Sequence, residues 1–190
     1  MKFNYYAFRS MYLHEMDRFK RTLMQSLFSP VLSTSLYFIV FGSVIGGYVE
    51  KIDGISYGSF IVPGLLMLTL LTQSISNTSF GIFFPKFNGT IYEILAAPIS
   101  TFEIVLAFVG AGATKTLIVG LVIFLTSTFF VEVQVMYPLL MIFLLVLVAF
   151  TFALFGFLIG LMSSNFEQMS IIPTLVCLLY TSPSPRDRYG

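Results

Sequence analysis

The sequence predicts an all-α membrane protein with an N-terminal interfacial helix, four complete transmembrane helices and the start of a fifth. Three observations lead there. Of the 190 residues, 57% are hydrophobic and 10% charged, with a mean hydropathy of +0.91, whereas a soluble domain carries about 25% charged residues. Asp, Glu, Lys and Arg are absent from residues 22–49, 54–85 and 133–166, and Lys115 alone interrupts 104–131. Each run is longer than the roughly 20 residues that cross a bilayer. Polarity does not alternate along these runs as it does in barrel strands, so backbone amides in lipid must be satisfied within helices.

The same composition excludes other classes. A net charge of +1 provides no basic field for nucleic acid, and one Cys with one His supplies neither a disulfide framework nor a metal site.

In chain order, the N-terminal segment comes first. Phe8, Met11, Tyr12, Met16, Phe19 and Leu23 recur at three- and four-residue spacing, with His14, Asp17, Arg18 and Arg21 opposite them. That is the pattern of a helix lying in the headgroup plane, a membrane anchor if nothing more. No apolar core with a small-residue cleavage site precedes Ser29, so the segment is not a signal peptide. Pro30 is expected to end this helix or to kink it into the first span.

The spans are placed at Val31 to Tyr48, Tyr57 to Gly81, Ile104 to Phe130 and Pro138 to Met162. Small residues recur within them as Gly42 with Gly46, Gly156 with Gly160, and the cluster Gly110, Ala111, Gly112, Ala113. These read as seams where helix backbones approach closely. A fifth apolar stretch begins near Met169.

Orientation follows from the distribution of cations. Lys2, Arg9, Arg18, Lys20 and Arg21 precede the first span and Lys86 lies in the second loop, against Lys51 alone on the other side. The N-terminus is therefore expected in the cytoplasm.

The loop from Phe83 to Ser100 is too apolar for an idle linker and, with Pro85 and Pro98, too interrupted to span. Asn88 or Thr90 suits a helix cap, Glu93 stands three residues after Thr90 in capping-box spacing, and Pro98 is a stop. A short amphipathic helix against the inner membrane face follows. Spacing alone leaves it open between a docking element and an ordinary interfacial turn.

Candidate chemistry is sparse. Gly110 to Thr116 superficially looks like a phosphate-binding loop, but the positions that need glycine are Val109 and Thr114. Lys115, some eleven residues into a span, is expected near the bilayer midplane and must find a carboxylate, carbonyls or water there. It either lines a pathway or pairs with backbone or helix ends across the bundle. Glu93, Glu103, Glu132 and Glu167 lie in or beside loops, where most are expected to be solvated, and His14 stands alone. No assembly of nucleophile, base and orienting group emerges, so an enzyme is not indicated.

Several motifs in order resemble the permease subunits of ABC exporters of the second type (ABC-2), the family of polysaccharide, nodulation-factor and drug export permeases. Phe60-Ile61-Val62-Pro63-Gly64-Leu65 resembles the family's Pro-Gly start of span two, Tyr92-Glu93-Ile94-Leu95-Ala96-Ala97-Pro98-Ile99 its loop helix, and Ile171-Ile172-Pro173-Thr174 the start of its fifth span. With Leu36 to Gly42 in span one, the likeness covers about residues 5–175.

The resemblance implies six spans per complete subunit, two permease copies per pore as a homodimer or close heterodimer, and a separate cytoplasmic ATPase that uses ATP. The chain itself would bind no cofactor and no metal. Glu93, Ile94, Leu95, Ala96, Ala97 and Pro98 would form the coupling helix, with the N-terminal helix against the same partner. The domain is then 1–175, incomplete at its end, and 176–190 resembles translated adapter sequence, a non-native tail. The implied function is the permease of an ATP-binding cassette exporter in a bacterial inner membrane. The alternative is a structural or regulatory membrane module. A channel or secondary transporter ranks last, since its spans would carry buried carboxylates.

Overall fold

The computed structural model describes residues 4–40, 57–130 and 137–181. All regular structure among the described residues is helical: α1 (Tyr5–Arg21), α2 (Leu23–Tyr37), α3 (Tyr57–Phe87), α4 (Ile91–Ala96), α5 (Thr101–Phe130), α6 (Pro138–Met162) and α7 (Phe166–Thr181). Three of these are long and apolar enough to cross a membrane: Leu23–Val40, which carries α2 through one wider turn, then Thr101–Phe130 and Pro138–Met162. The α3 helix has the length, 31 residues, but its middle is rich in Ser, Thr, Asn and Gln. Gly42, Gly46, Lys51, Glu132 and residues 182–190 of the expected tail lie outside the described residues, and α7 continues through Thr181.

Boundaries shift from expectation at the prolines. The first break falls at Thr22, whose hydroxyl donates to the carbonyls of Arg18 (3.2 Å) and Phe19 (3.3 Å) and so satisfies the end of α1. Pro30 neither ends nor separates anything: it is buried inside α2, and Thr34 Oγ1 donates to its carbonyl at 2.8 Å. Pro85 likewise falls within α3, which runs six residues past the expected end at Gly81. Each proline removes one donor and so withholds the helical bond from the carbonyl four residues earlier, that of Ser26 for Pro30 and of Gly81 for Pro85.

Helix directions alternate. A Cβ added at Gly156 would stand 2.8 Å from Ile75 Cα, and one at Gly160 would stand 2.7 Å from the Ser79 carbonyl oxygen. Both numbers increase together, so α3 and α6 run the same way. Against α5 the order reverses: Gly112 faces Thr78 while Gly120 faces Leu70. The expected seam at Gly156 with Gly160, and Gly112 within residues 110–113, are thus contact points where a side chain has no room, whereas a Cβ at Gly110 would come no nearer than 4.0 Å to Tyr12. Ser74 Oγ adds a hydrogen bond to the Ala149 carbonyl at 2.6 Å.

At the centre, Ile82, Ile104, Phe108, Val109, Ala113, Ala149, Ala153 and Phe157 form one buried cluster drawn from α3, α5 and α6. The α1 helix follows α5 in the same direction instead of crossing it in the headgroup plane. Asn4 meets Glu103, Tyr12 meets Thr114, Glu15 meets Lys115, and Phe19 packs with Val119 and Ile123. A helix lying flat would touch only one or two turns of α5. The amphipathic stripe is real, but its apolar side is covered by protein.

Candidate coupling surface and buried ion pair

The short helix of the loop forms as α4, and its two faces differ. Ile91 and Ile94, three residues apart, pack against the central cluster together with Ile99. Tyr92 (74% exposed), Glu93 and Leu95 (62% exposed) point outward. The hydrogen bonds that start α4 come from the backbone: the Thr90 carbonyl accepts from Glu93 N at 3.1 Å and Ile94 N at 3.3 Å. The Thr90 side chain makes no cap bond, so the expected capping box does not form there. Before it, Gly89 has φ +78°, a left-handed turn that suits glycine. Ala97 is extended (φ −70°, ψ 147°), as a residue preceding proline prefers, so the helix stops at Ala96, and Ala97 and Pro98 form its exit.

The carboxylate half of a capping box lies ten residues on. Glu103 Oε2 accepts from Ser100 N at 3.0 Å, and its Oε1 accepts from Asn4 N at 2.6 Å. One buried side chain thereby closes the start of α5 and pins the start of α1 to it. The expectation of solvated carboxylates fails at Glu103 and holds at Glu93 and Glu167, both exposed.

Lys115 is buried, and its partner is a carboxylate on α1. Its Nζ donates to Glu15 Oε2 at 2.8 Å, and the same oxygen receives Arg18 Nη2 at 2.9 Å. Glu15 is 4% exposed and Lys115 3%. Tyr12 OH donates to Thr114 Oγ1 at 2.9 Å one turn below. Of the two readings left open for Lys115, the structure provides the packing partner, although that partner is neither backbone nor a helix end. Glu15 escaped sequence reading, yet a signal exists: it stands four residues after Met11 and four before Phe19, inside the apolar stripe.

Lys86 closes the same end of the molecule. Its Nζ donates to the carbonyls of Leu161 (2.6 Å) and Ser163 (2.9 Å), where α6 ends and orphan carbonyls need donors. Phe83 and Phe87 meet Phe166 edge-on, with ring centroids 4.8 and 5.1 Å apart, tying α3 to α7 beside it.

Compared with known families, residues 6–185 match the sequence profile of the family described as ABC-2 type transporter. The chain belongs to that family. It is 39% identical over 170 residues to the inner membrane transport permease YadH of Escherichia coli K12, and to the proteins of the same name from Escherichia coli O157:H7 and Shigella flexneri. The aligned part covers 90% of this chain and 66% of each relative, so this ABC-2 chain spans just under two thirds of their length. No solved structure matches.

Within this family member, the remaining motif and one missed feature complete the site. Pro63 and Gly64 lie on the outside of α3, and a Cβ at Gly64 would meet nothing within 4 Å. Thr69, Thr72, Gln73, Ser76 and Asn77 recur at three- and one-residue steps, all half-buried on one side of α3. Asn77 Nδ2 reaches Gln73 Oε1 at 3.5 Å, and among the described residues the Ser76 hydroxyl makes no hydrogen bond. The spacing of this stripe was visible in the sequence, hidden only by the lack of charge.

Proposed function

We propose that this chain is the permease subunit of an ATP-binding cassette exporter in a bacterial inner membrane, with α2, α3, α5 and α6 as its four complete spans and α7 beginning the fifth. The N-terminus lies in the cytoplasm. A separate cytoplasmic ATPase binds and hydrolyses ATP; the permease itself has no enzymatic activity and binds no cofactor. Two permease copies, identical or closely related, enclose the path. The polar stripe from Thr69 to Asn77 faces that path, because the Gln73 and Asn77 amides and the Ser76 hydroxyl keep unmet bonding capacity that is costly against lipid tails and cheap beside water.

The observation that carries the reading is the division of α4. Its inner face is anchored in the core by Ile91 and Ile94, while Tyr92, Glu93 and Leu95 are free for a partner. An ATPase closing against this surface displaces α4, and the displacement passes into α3 and α5, which the loop joins. Such coupling works only if the ATPase contacts differ between the two states.

The test is co-purification. Leu95→Asp, at an exposed anchor, is expected to leave membrane insertion intact and to reduce ATPase recovered with the tagged permease by tenfold or more, since a small interface concentrates its energy in few side chains. Undiminished recovery would reduce α4 to a simple turn.

A further inference from the structure

The face that α1 turns to α5 has little shape of its own. It offers Met11, Met16 and Phe19 to a stretch of α5 that carries Gly110 and Ala111 and then Ile118, Val119 and Ile123, while Gly112 faces Thr78 of α3. Methionine adapts to many contours, and apolar attraction has no direction. Because the α1 stripe repeats every three or four residues and α5 is apolar from Ile104 to Leu125 apart from Lys115 and its two flanking threonines, a slip of one turn preserves most of this contact. It does not preserve the charges. After a four-residue slip Glu15 stands opposite Ala111 or Val119 with only Arg18 of its own helix left as a partner, and Lys115 stands opposite Met11 or Phe19, buried without a carboxylate.

We propose that the Glu15–Lys115 pair is a register key: it selects one alignment of α1 on α5 and so makes the two helices move as one body. A buried ion pair contributes little net stability compared with an apolar pair of the same size, yet breaking it is severe, and that asymmetry rejects misaligned states. Arg18 shares Glu15 Oε2 but lies on the same helix and follows it in every register, so the discrimination rests on Lys115. The bonds of Asn4 to Glu103 and Tyr12 to Thr114 agree with the same alignment but discriminate less, since a backbone amide and a hydroxyl at the helix edge find other acceptors. The key gives α1 a role beyond anchoring, because any force on the base of α5 is delivered undiminished to α1 and onward to α2.

The experiment measures a distance in the resting chain and needs neither ATPase nor transport, so it stands apart from the coupling reading. Spin labels are attached at Leu13→Cys and Leu125→Cys, both exposed sites, with the single native cysteine changed as Cys177→Ser. The parent is expected to give one narrow distance distribution. The apolar pair Glu15→Met with Lys115→Leu should remain folded yet add a second maximum displaced by about 5 Å, one helical turn. Exchange of the charges, Glu15→Lys with Lys115→Glu, should restore a single maximum. If the apolar pair fails to accumulate, a second apolar pair, Glu15→Leu with Lys115→Met, takes its place with the same second maximum expected. An unchanged single maximum in a folded uncharged variant overturns the proposal, as does a split distribution in the folded charge exchange.

Discussion

At the scale of single residues, two carboxylates do unlike work although both are buried. Glu103 serves backbone amides at a helix start, so its charge is met by fixed dipoles. Glu15 serves two cations within the bundle. Loss of the acid leaves Lys115 buried without compensation, and Glu15→Met is therefore expected to destabilise the detergent-solubilised protein by about 3–5 kcal/mol. Replacing Lys115 in the same background should recover much of that loss. Thermal unfolding of the single and double variants measures it, and additive losses would show that the two side chains are not coupled. The exposed pair Lys20–Asp17, at 3.0 Å, is the internal control: its removal should change stability by less than about 1 kcal/mol.

Among the elements, the crossing of α3 with α6 rests on glycine. Gly156→Val places branched carbons into the backbone at Ile75, where nothing flexible can yield. Overpacking of this kind costs about 1–3 kcal/mol or more. Gly64→Ala, in open space on α3, should be nearly silent. A melting temperature lowered equally by both would mean that the loss reflects helix propensity or chain flexibility and not the seam. These seams were legible in the sequence because small residues four apart have few other uses in a membrane helix, and α4 was legible because Pro98 fixes its stop. The course of α1 was not. An apolar stripe looks the same whether lipid or protein covers it, and only the acid at position 15 inside that stripe pointed to protein. The capping box was misplaced for a related reason: Thr90 with Glu93 and Ser100 with Glu103 share one spacing, and which pair closes depends on burial that spacing does not encode.

For the whole molecule, alternating helix directions fix which ends lie together. The α4 helix, the Lys86 clasp on α6 and the starts of α1, α5 and α7 gather at one end. The proposed arrangement, four spans with the N-terminus inside, would put all of them in the cytoplasm. Cysteine introduced at Asn88 should then resist an impermeant thiol reagent in intact cells, whereas cysteine at Asp53 should react; the opposite pattern would invert the topology. Both α3 and α5, at 31 and 30 residues, are about 45 Å long, more than the roughly 30 Å hydrocarbon thickness. Where they cross, part of each helix therefore stands outside the hydrocarbon or tilts strongly within it.

Glu15 and Lys115 are separated by 100 residues of chain, and that distance imposes a timetable on biosynthesis. At about 5–20 residues per second, the acid is made on the order of 5–20 s before the base. By the time α5 leaves the ribosome, α1 is already at the membrane and holds the counter-ion for a helix that, on its own, bears a penalty of about 2.5–3.5 kcal/mol if its lysine enters at the centre. On this reading α1, made before α5, would act as its receptor, and the order of synthesis would be part of the means by which a charged segment is accepted into lipid. Glu15→Leu should accordingly lower the fraction of nascent chains in which α5 is inserted, read with a glycosylation acceptor placed after Phe130, while leaving the insertion of α2 unchanged; equal insertion in both chains would separate the pairing from the timetable.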